Sequence, residues 1–244
     1  SINYGGKYFD YDMSKKIGWI REDIENSKSE LTEKEYAILI ATLIYNIDKH
    51  ANTLGHFEAY IKKPIKKSEL KLRLIDVKEF ENLTIYREDS NKLAKEIKSD
   101  LVYIDPPYNS RQYCRFYHVY ENLVKWDKPI LSGVAMKPPA ENMSKYCTSK
   151  APEAFSDLVK NLDAKYLAVS YNNTYNSKSG SSKNKIKLEE IEEILNAKGE
   201  TKKFAKDYRF FNAGKSDLEN HQELLYITKV KWKKKKFIVR LFFT

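Results

Sequence analysis

Apolar residues at helical spacing define the first clear element of the chain. Thr32 and Glu35 stand three positions apart just before it, as in a capping box. Its apolar positions are Tyr36, Leu39, Ile40, Leu43, Ile44 and Ile47. Their spacing of three and four residues predicts an amphipathic helix that packs in a core. The polar segment at 49–57 ends this helix, and we interpret residues 1–78 as a mainly helical region.

From about Leu83 onward, short apolar runs alternate with amphipathic segments. Strands are predicted at residues 83–86, 101–104, 166–172, 207–212 and 222–230. Helices are predicted at residues 89–97, 117–126, 151–162 and 187–199, with Gly199 as the stop signal of the last one. The alternation predicts an α/β domain over residues 79–230 with a largely parallel sheet, whose last two strands form an antiparallel pair. Residues 231–244 are interpreted as a separate basic tail.

Two polar segments each follow a predicted strand. Residues 172–185, NNTYNSKSGSSKNK, are rich in Ser, Asn, Lys and Gly and predict a loop. The tetrapeptide DPPY follows the run LVYI. Both would project from the carboxyl edge of the sheet, where open α/β sheets bind ligands.

A net charge of +10 suggests a nucleic-acid partner. The distribution of the charge along the chain weakens this argument. From Lys229 to Thr244 the chain carries seven basic side chains and no acidic one. The other 228 residues therefore carry a net charge of only +3.

The composition also argues against several protein classes. No segment approaches the roughly 18 apolar residues of a membrane helix, and the first residues do not resemble a secretory signal. Cys114 and Cys147 have neither metal-ligand nor disulfide-framework spacing, and the four histidines are scattered. We expect no membrane association, no metal and a cytoplasmic location.

The turn that begins at Asp105 is unusually stiff. Pro106 and Pro107 fix their own φ and bias each preceding residue toward extended backbone. Such a turn simply leaves a sheet in many proteins, but here it also presents a carboxylate and carbonyl oxygens with no donor at either proline. Tyr108 adds a flat ring. Acceptors beside an aromatic face suit a planar group with an exocyclic amine, such as adenine.

The longer run DPPYNSRQY resembles the catalytic motif of the Dam-like class of DNA N6-adenine methyltransferases, and within it the type II modification methylases. Other stretches are similar to the same family: NYGGKYF, IGWIRE, ANTLGHFEAYIKK, YHVYENLVKW, LAVSYNN, FFNAGK and ELLYITK. The resemblance implies a Rossmann-like methyltransferase sheet with an inserted mainly helical region. It further implies methyl transfer from S-adenosylmethionine to N6 of an adenine flipped out of double-stranded DNA, in a restriction-modification system.

The resemblance also implies roles for individual residues. The catalytic residues would be Asp105, Pro106, Pro107 and Tyr108. Asp89 and Asp105 would contact the cofactor, although Asp89 also fits a plain helix N-cap. Tyr108, Asn109, Arg111 and Tyr113 would contact the substrate. Residues 1–78 and the loop 172–185 are the candidate DNA-contacting parts.

One family feature is absent. The family carries a glycine-rich cofactor loop of the type Phe-x-Gly-x-Gly, and none of the eight glycines has this arrangement. We expect a missing N-terminal segment or a second polypeptide to supply the loop and the first strand. Without that strand, the sheet should expose an edge and part of its core.

Two other functions stay open. A non-catalytic DNA-binding remnant or subunit would explain the absent loop. A methyltransferase of another acceptor, such as cytosine N4, an RNA base or a protein glutamine, would use a related motif, but Asp at position 105 argues for adenine.

Overall fold

A computed structural model describes residues 3–174, 180, 183–207 and 221–231. The helices are α1 (Tyr11–Asn26), α2 (Glu33–Asp48), α3 (Ser90–Leu93), α4 (Tyr113–Phe116), α5 (His118–Lys125), α6 (Ala151–Asn161) and α7 (Leu188–Lys198), with short 3₁₀ helices at Lys28–Glu30 and Lys145–Cys147. The strands are β1 (Lys98–Ile104), β2 (Asp163–Asn172), β3 (Gly199–Asp207) and β4 (Gln222–Val230). None of the described helices is long and apolar enough to cross a membrane.

The chain forms two compact units that interleave in sequence. Unit 1 comprises Ser1–Ile85 and Gln112–Met143, and unit 2 comprises Tyr86–Arg111 and Ser144–Thr244. The sequence predicted three continuous domains, at residues 1–78, 79–230 and 231–244. These boundaries stay a prediction.

Unit 1 is built around α1, α2 and α5. The capping box predicted for α2 is present, since Thr32 Oγ1 accepts from the Glu35 amide and the Glu35 carboxylate accepts from the Thr32 amide. Ile40, Leu43 and Ile47 are buried in the core, as their spacing predicted. The helical region is shorter than expected, however, because residues 49–89 contain no helix or strand.

Replacing Thr32 tests how much the box contributes to α2. We expect Thr32→Ala to lower the thermal midpoint Tm by roughly 3 °C, because an N-cap hydroxyl satisfies an otherwise unpaired helix amide. Circular dichroism melting measures this shift. Ser27→Ala is the matched control, since Ser27 precedes a 3₁₀ helix without a side-chain capping bond. Equal shifts in both variants would contradict the prediction.

Unit 2 is a mixed α/β layer structure with a four-stranded sheet in the order β1-β2-β4-β3. β1 and β2 are parallel, whereas β4 is antiparallel to both β2 and β3. The expectation of a largely parallel sheet was therefore wrong. A local apolar pattern predicts that a strand exists, but it does not determine the direction in which the strand returns to the sheet.

One face of this sheet is covered and holds the core of unit 2. Ile104, Leu167, Val169, Tyr171, Leu224 and Tyr226 pack there with residues of α6 and α7 such as Phe155, Leu158, Ile191 and Leu195. The side chains of the opposite face include Leu101, Tyr103, Tyr166, Phe204 and Leu225, and all five are exposed. The sheet of unit 2 therefore has one covered face and one face with exposed apolar side chains.

Gly199 links α7 directly to β3. Its φ of −173° is extended backbone rather than the left-handed conformation of a typical helix stop. A Cβ atom at this position would lie 2.1 Å from the Lys229 carbonyl oxygen. Glycine is required here because the β4 backbone passes so close to it.

The strand predicted at 83–86 is not formed. These residues carry no regular structure, and Leu83 and Ile85 are 62% and 82% exposed. The predicted strand at 207–212 lies outside the described residues except for Asp207, where β3 ends.

Candidate functional site

The turn DPPY begins where β1 ends. Apolar residues carry β1 through Ile104, and Asp105 is the first residue beyond the strand. Its side chain is exposed, whereas Pro106 is buried. The prolines therefore anchor a turn whose carboxylate faces solvent at the carboxyl edge of β1.

Two hydroxyl groups hold the Asp105 carboxylate in place, and a third supports one of them. Oδ1 accepts hydrogen bonds from the Tyr108 hydroxyl at 2.8 Å and from Ser170 Oγ at 3.0 Å. Ser170 Oγ in turn accepts from the Tyr103 hydroxyl at 2.9 Å. The described residues engage only Oδ1, so Oδ2 keeps its lone pairs for a further donor.

Tyr108 is also fixed by its main chain. Its carbonyl oxygen accepts from the Lys185 amide at 2.8 Å and from the Tyr171 hydroxyl at 3.3 Å. Its ring meets the Tyr171 ring edge-on, with centroids 5.1 Å apart. Burial, and next the Asp105 carboxylate, raise the pKa of Tyr108 well above its ordinary value, so the phenol stays a donor to Asp105.

Ser170 and Tyr103 were not singled out from the sequence. Ile104 pairs with Val169 across the parallel strands, which brings Ser170 opposite Asp105. The only sequence feature that marked Ser170 was its polar side chain inside the apolar run YLAVSYN. The register between β1 and β2 was needed to connect it with Asp105.

A second carboxylate lies at the same edge. Glu223 pairs with Asn172 at the start of β4. Its pKa is raised, first by burial and also by the negative charge of Asp105. The edge thus concentrates negative charge and hydrogen-bond acceptors.

The remaining predicted site residues have structural contacts or belong to the other unit. Asp89 caps α3, since Oδ1 accepts from the Asn91 amide at 2.9 Å and from the Lys92 amide at 3.2 Å. Asn109 Oδ1 accepts from the Arg111 amide at 3.0 Å and so closes a tight turn. Tyr113 opens α4 in unit 1. Their roles toward cofactor and substrate stay predictions.

Hydrogen bonds connect the two ends of the predicted loop 172–185. Asn184 Nδ2 donates to the Asn172 carbonyl at 2.7 Å, and Thr174 Oγ1 donates to Asn172 Oδ1 at 2.7 Å. All three side chains are buried. Residues 175–179, 181 and 182 of this loop lie outside the described residues.

Several sequence stretches with family resemblance meet inside unit 1. The Tyr8 hydroxyl donates to the Phe57 carbonyl at 2.6 Å, and its ring lies edge-on to the His118 ring at 5.9 Å. The Asn52 side chain donates to the Lys7 and Ile61 carbonyls at 2.8 and 2.9 Å. The stretches NYGGKYF, ANTLGHFEAYIKK and YHVYENLVKW therefore share one core.

A row of tyrosines runs along α4 and α5. The rings of Tyr113 and Tyr117 are 19° from parallel with centroids 6.1 Å apart, and those of Tyr117 and Tyr120 are 5° from parallel at 6.5 Å. Tyr113 and Tyr117 are exposed. Exposed flat rings can stack on nucleobases. The sequence analysis predicted a substrate contact for Tyr113 but did not specify stacking.

Comparison with known proteins connects this geometry with one family. Residues 3–177 match the profile of the D12 class of N6 adenine-specific DNA methyltransferases. The Type II methyltransferase M.FokI of Planomicrobium okeanokoites is 34% identical over 235 residues, which are 91% of this chain and 35% of M.FokI. M.NlaIII of Neisseria lactamica is 32% identical over 223 residues, 88% of this chain and 64% of M.NlaIII.

The modification methylase StsI of Streptococcus sanguinis is 39% identical over 173 residues, 68% of this chain and 26% of StsI. No solved structure matches significantly. The chain thus spans between a quarter and two thirds of the length of these three relatives. Because the family profile covers most of its residues, the chain belongs to the D12 class of N6 adenine-specific DNA methyltransferases.

Proposed function

We propose that this chain provides the adenine-binding part of a site-specific DNA adenine-N6 methyltransferase. The observation that carries the proposal is the exposed Asp105 carboxylate, held through Oδ1 by Ser170 and Tyr108 while no described residue bonds Oδ2. An adenine amine has two hydrogens, and a turn that offers a carboxylate oxygen and a proline carbonyl can accept both.

These acceptors give the site a chemical task. Hydrogen bonds from both amine hydrogens orient the N6 lone pair and increase its electron density. Tyr108 supplies the aromatic face on which the extrahelical base stacks. Because Tyr108 is held through its main-chain carbonyl and Ser170 accepts from Tyr103, the acceptors need little reorganisation when the base arrives.

S-adenosylmethionine is the methyl donor of this family. The described residues fit the acceptor side of the reaction but do not complete a cofactor site. The only cofactor contacts proposed from the sequence are Asp89, which caps α3, and Asp105. No Phe-x-Gly-x-Gly loop occurs among the 244 residues. We therefore assign no cofactor geometry to this chain.

The wider setting is proposed from the relatives. M.FokI and M.NlaIII are named type II methyltransferases, and StsI is named a modification methylase. By this similarity the chain acts on double-stranded DNA as part of a restriction-modification system in the cytoplasm. The order β1-β2-β4-β3, with β4 antiparallel, supports one half of a Rossmann-like methyltransferase sheet.

A methyl-transfer assay tests the proposal. Radiolabelled S-adenosylmethionine is incubated with genomic DNA that lacks adenine methylation, and digested nucleosides locate the label. Label in N6-methyladenine is the expected result, with the chain alone or with a cofactor-bearing segment added. Label in N4-methylcytosine would assign the other acceptor class. No label under either condition would favour a non-catalytic DNA-binding subunit.

The tyrosine row is expected to contribute to DNA binding. Tyr113→Ala should weaken binding of a target duplex by about tenfold, because base-aromatic stacking is worth roughly 1–3 kcal/mol per base. Tyr113→Phe should retain most of the affinity. Tyr45→Ala is the control, since Tyr45 is 67% exposed on α2 and has no ring partner in the row. Fluorescence anisotropy at fixed salt measures the affinities, and equal losses for Tyr113→Ala and Tyr45→Ala would refute a specific role.

A further inference from the structure

The side chain of Asp105 is connected to the sheet through β2. Pro106 restrains the backbone of Asp105 but leaves its side-chain torsions free. The Tyr108 hydroxyl bonds to Oδ1 at 2.8 Å, yet Tyr108 belongs to the same turn and moves with it. Ser170 on β2, at 3.0 Å, is the one described residue of another element that bonds to this carboxylate. Ser170 therefore sets how the carboxylate is turned relative to the sheet.

The directions of the hydrogen bonds around Asp105 follow from a count of protons. An ionised carboxylate only accepts, and a serine hydroxyl has one proton. Ser170 gives this proton to Asp105, so its oxygen can only accept from the Tyr103 hydroxyl, which lies 2.9 Å away. The donors therefore run in one direction, from Tyr103 to Ser170 to Asp105. Each donation polarises the next hydroxyl and strengthens its bond.

The register of the parallel strands places Tyr103 for this contact. Tyr103 pairs with Ala168, two residues before Ser170 on the same face of β2. Its side chain is 61% exposed. A hydroxyl so exposed can bond to water instead, so its bond to Ser170 adds little to stability. What the contact changes is the direction in which Ser170 donates.

We propose that Tyr103 and Ser170 are positioning residues for methyl transfer. Tyr103 keeps the Ser170 proton directed at Oδ1, and Ser170 keeps the carboxylate turned so that Oδ2 meets the adenine amine. Both residues act through the carboxylate rather than on the base. The inference rests on the proposed function of Asp105 and adds to it two residues that lie outside the DPPY turn.

Single-turnover methyl transfer at saturating DNA tests these roles, with the chain alone or with a cofactor-bearing segment added. Ser170→Ala should lower the rate constant by about thirtyfold, because a charged group loses a hydrogen bond. Tyr103→Phe should lower it by about fivefold, because a bond between neutral groups contributes less. The Kd of the target duplex should stay within about twofold of the original, since a positioning residue acts on the rate. Ser170→Thr keeps the hydroxyl and should restore most of the rate.

A double-mutant cycle shows whether Tyr103 acts through Ser170. In the Ser170→Ala background, Tyr103→Phe should change the rate constant by less than about twofold, because the contact is already lost. Tyr166→Phe is the matched control, since Tyr166 is 42% exposed on the same face and its hydroxyl bonds to no described residue. This variant should transfer the methyl group as fast as the unaltered protein. Melting curves check that every variant folds.

The outcomes separate this inference from the proposed function. An active protein whose Tyr103→Phe variant keeps its full rate would overturn the role of Tyr103. Equal losses for Tyr103→Phe in both backgrounds would mean that it does not act through Ser170. A weaker duplex Kd with an unchanged rate constant would make the two residues DNA contacts instead. No transfer by the unaltered protein in either preparation would refute the proposed function itself, and this inference with it.

Discussion

Asp105→Asn is expected to lower the rate of methyl transfer to adenine N6 by about a thousandfold, because preorganised groups at a reacting centre typically contribute that much. The carboxylate accepts from two hydroxyls through Oδ1, and an asparagine amide placed there presents one oxygen and two hydrogens. Whichever way the amide turns, either the Tyr108 and Ser170 donors or the adenine amine meets another donor. The negative charge that supports a developing positive charge on N6 is lost as well.

The rate is measured by single-turnover methyl transfer, in whichever preparation transfers the methyl group. Asp100→Asn is the control, since Asp100 lies on the same strand, pairs with Lys165 and is 81% exposed. Its rate should stay within about twofold of the original, as expected for a surface change. A fully active Asp105→Asn variant, with an unchanged melting curve, would remove Asp105 from the mechanism.

Arg21→Met is expected to destabilise unit 1 by about 3–4 kcal/mol, because removing one member of a buried charged network leaves its partners unpaired. Arg21 is fully buried. Nε donates to the Leu123 carbonyl at 2.6 Å, near the end of α5, and Nη2 donates to the Tyr36 hydroxyl at 2.8 Å. The guanidinium also lies over the Trp126 ring, 5.0 Å from its centroid. One side chain thus joins α1, α2 and α5.

Nη1 of Arg21 lies 2.9 Å from the Glu25 carboxylate, close enough for an ion pair but without hydrogen-bond geometry. The expected loss therefore comes chiefly from the Leu123 carbonyl, which loses its donor, and from the Tyr36–Glu25 hydrogen bond, which loses the guanidinium beside it. Urea unfolding followed by tryptophan fluorescence measures the free energy. Lys28→Met is the control, since Lys28 is an exposed partner of the same Glu25, and it should leave the midpoint unchanged. A loss below about 1 kcal/mol in Arg21→Met would show that the network is not stabilising.

Elements with a strong internal pattern could be predicted from the sequence. The strand predicted at 222–230 is β4, and the helices predicted at 151–162 and 187–199 are α6 and α7 within one residue at each end. Each of these segments buries one face, so the spacing of its apolar residues indicates which side chains pack in the core. The segment 83–86 has the same apolar character, but a strand also needs a partner, and no described residue pairs with it.

The candidate site could be predicted only in part. The stiffness of the DPPY turn and its acceptors follow from local chemistry at Asp105. The support from Ser170 and Tyr103 does not, because it depends on which residues of β1 and β2 lie opposite each other. Similarly, the sequence predicted Gly199 as a helix stop. Glycine is required at this position, however, because the backbone of Lys229, 30 residues later in β4, lies so close.

The position of β4 has a consequence for how the protein is made. β4 is the last of the described strands along the chain, yet it lies between β2 and β3. During synthesis β1 and β2 can pair as soon as both have left the ribosome, whereas β3 has no neighbour until β4 follows. Strands that wait for distant partners expose unpaired edges and are prone to aggregation. Translation must therefore proceed through residue 230 before β3 can be recruited, and nascent chains that stall earlier would become clients of chaperones.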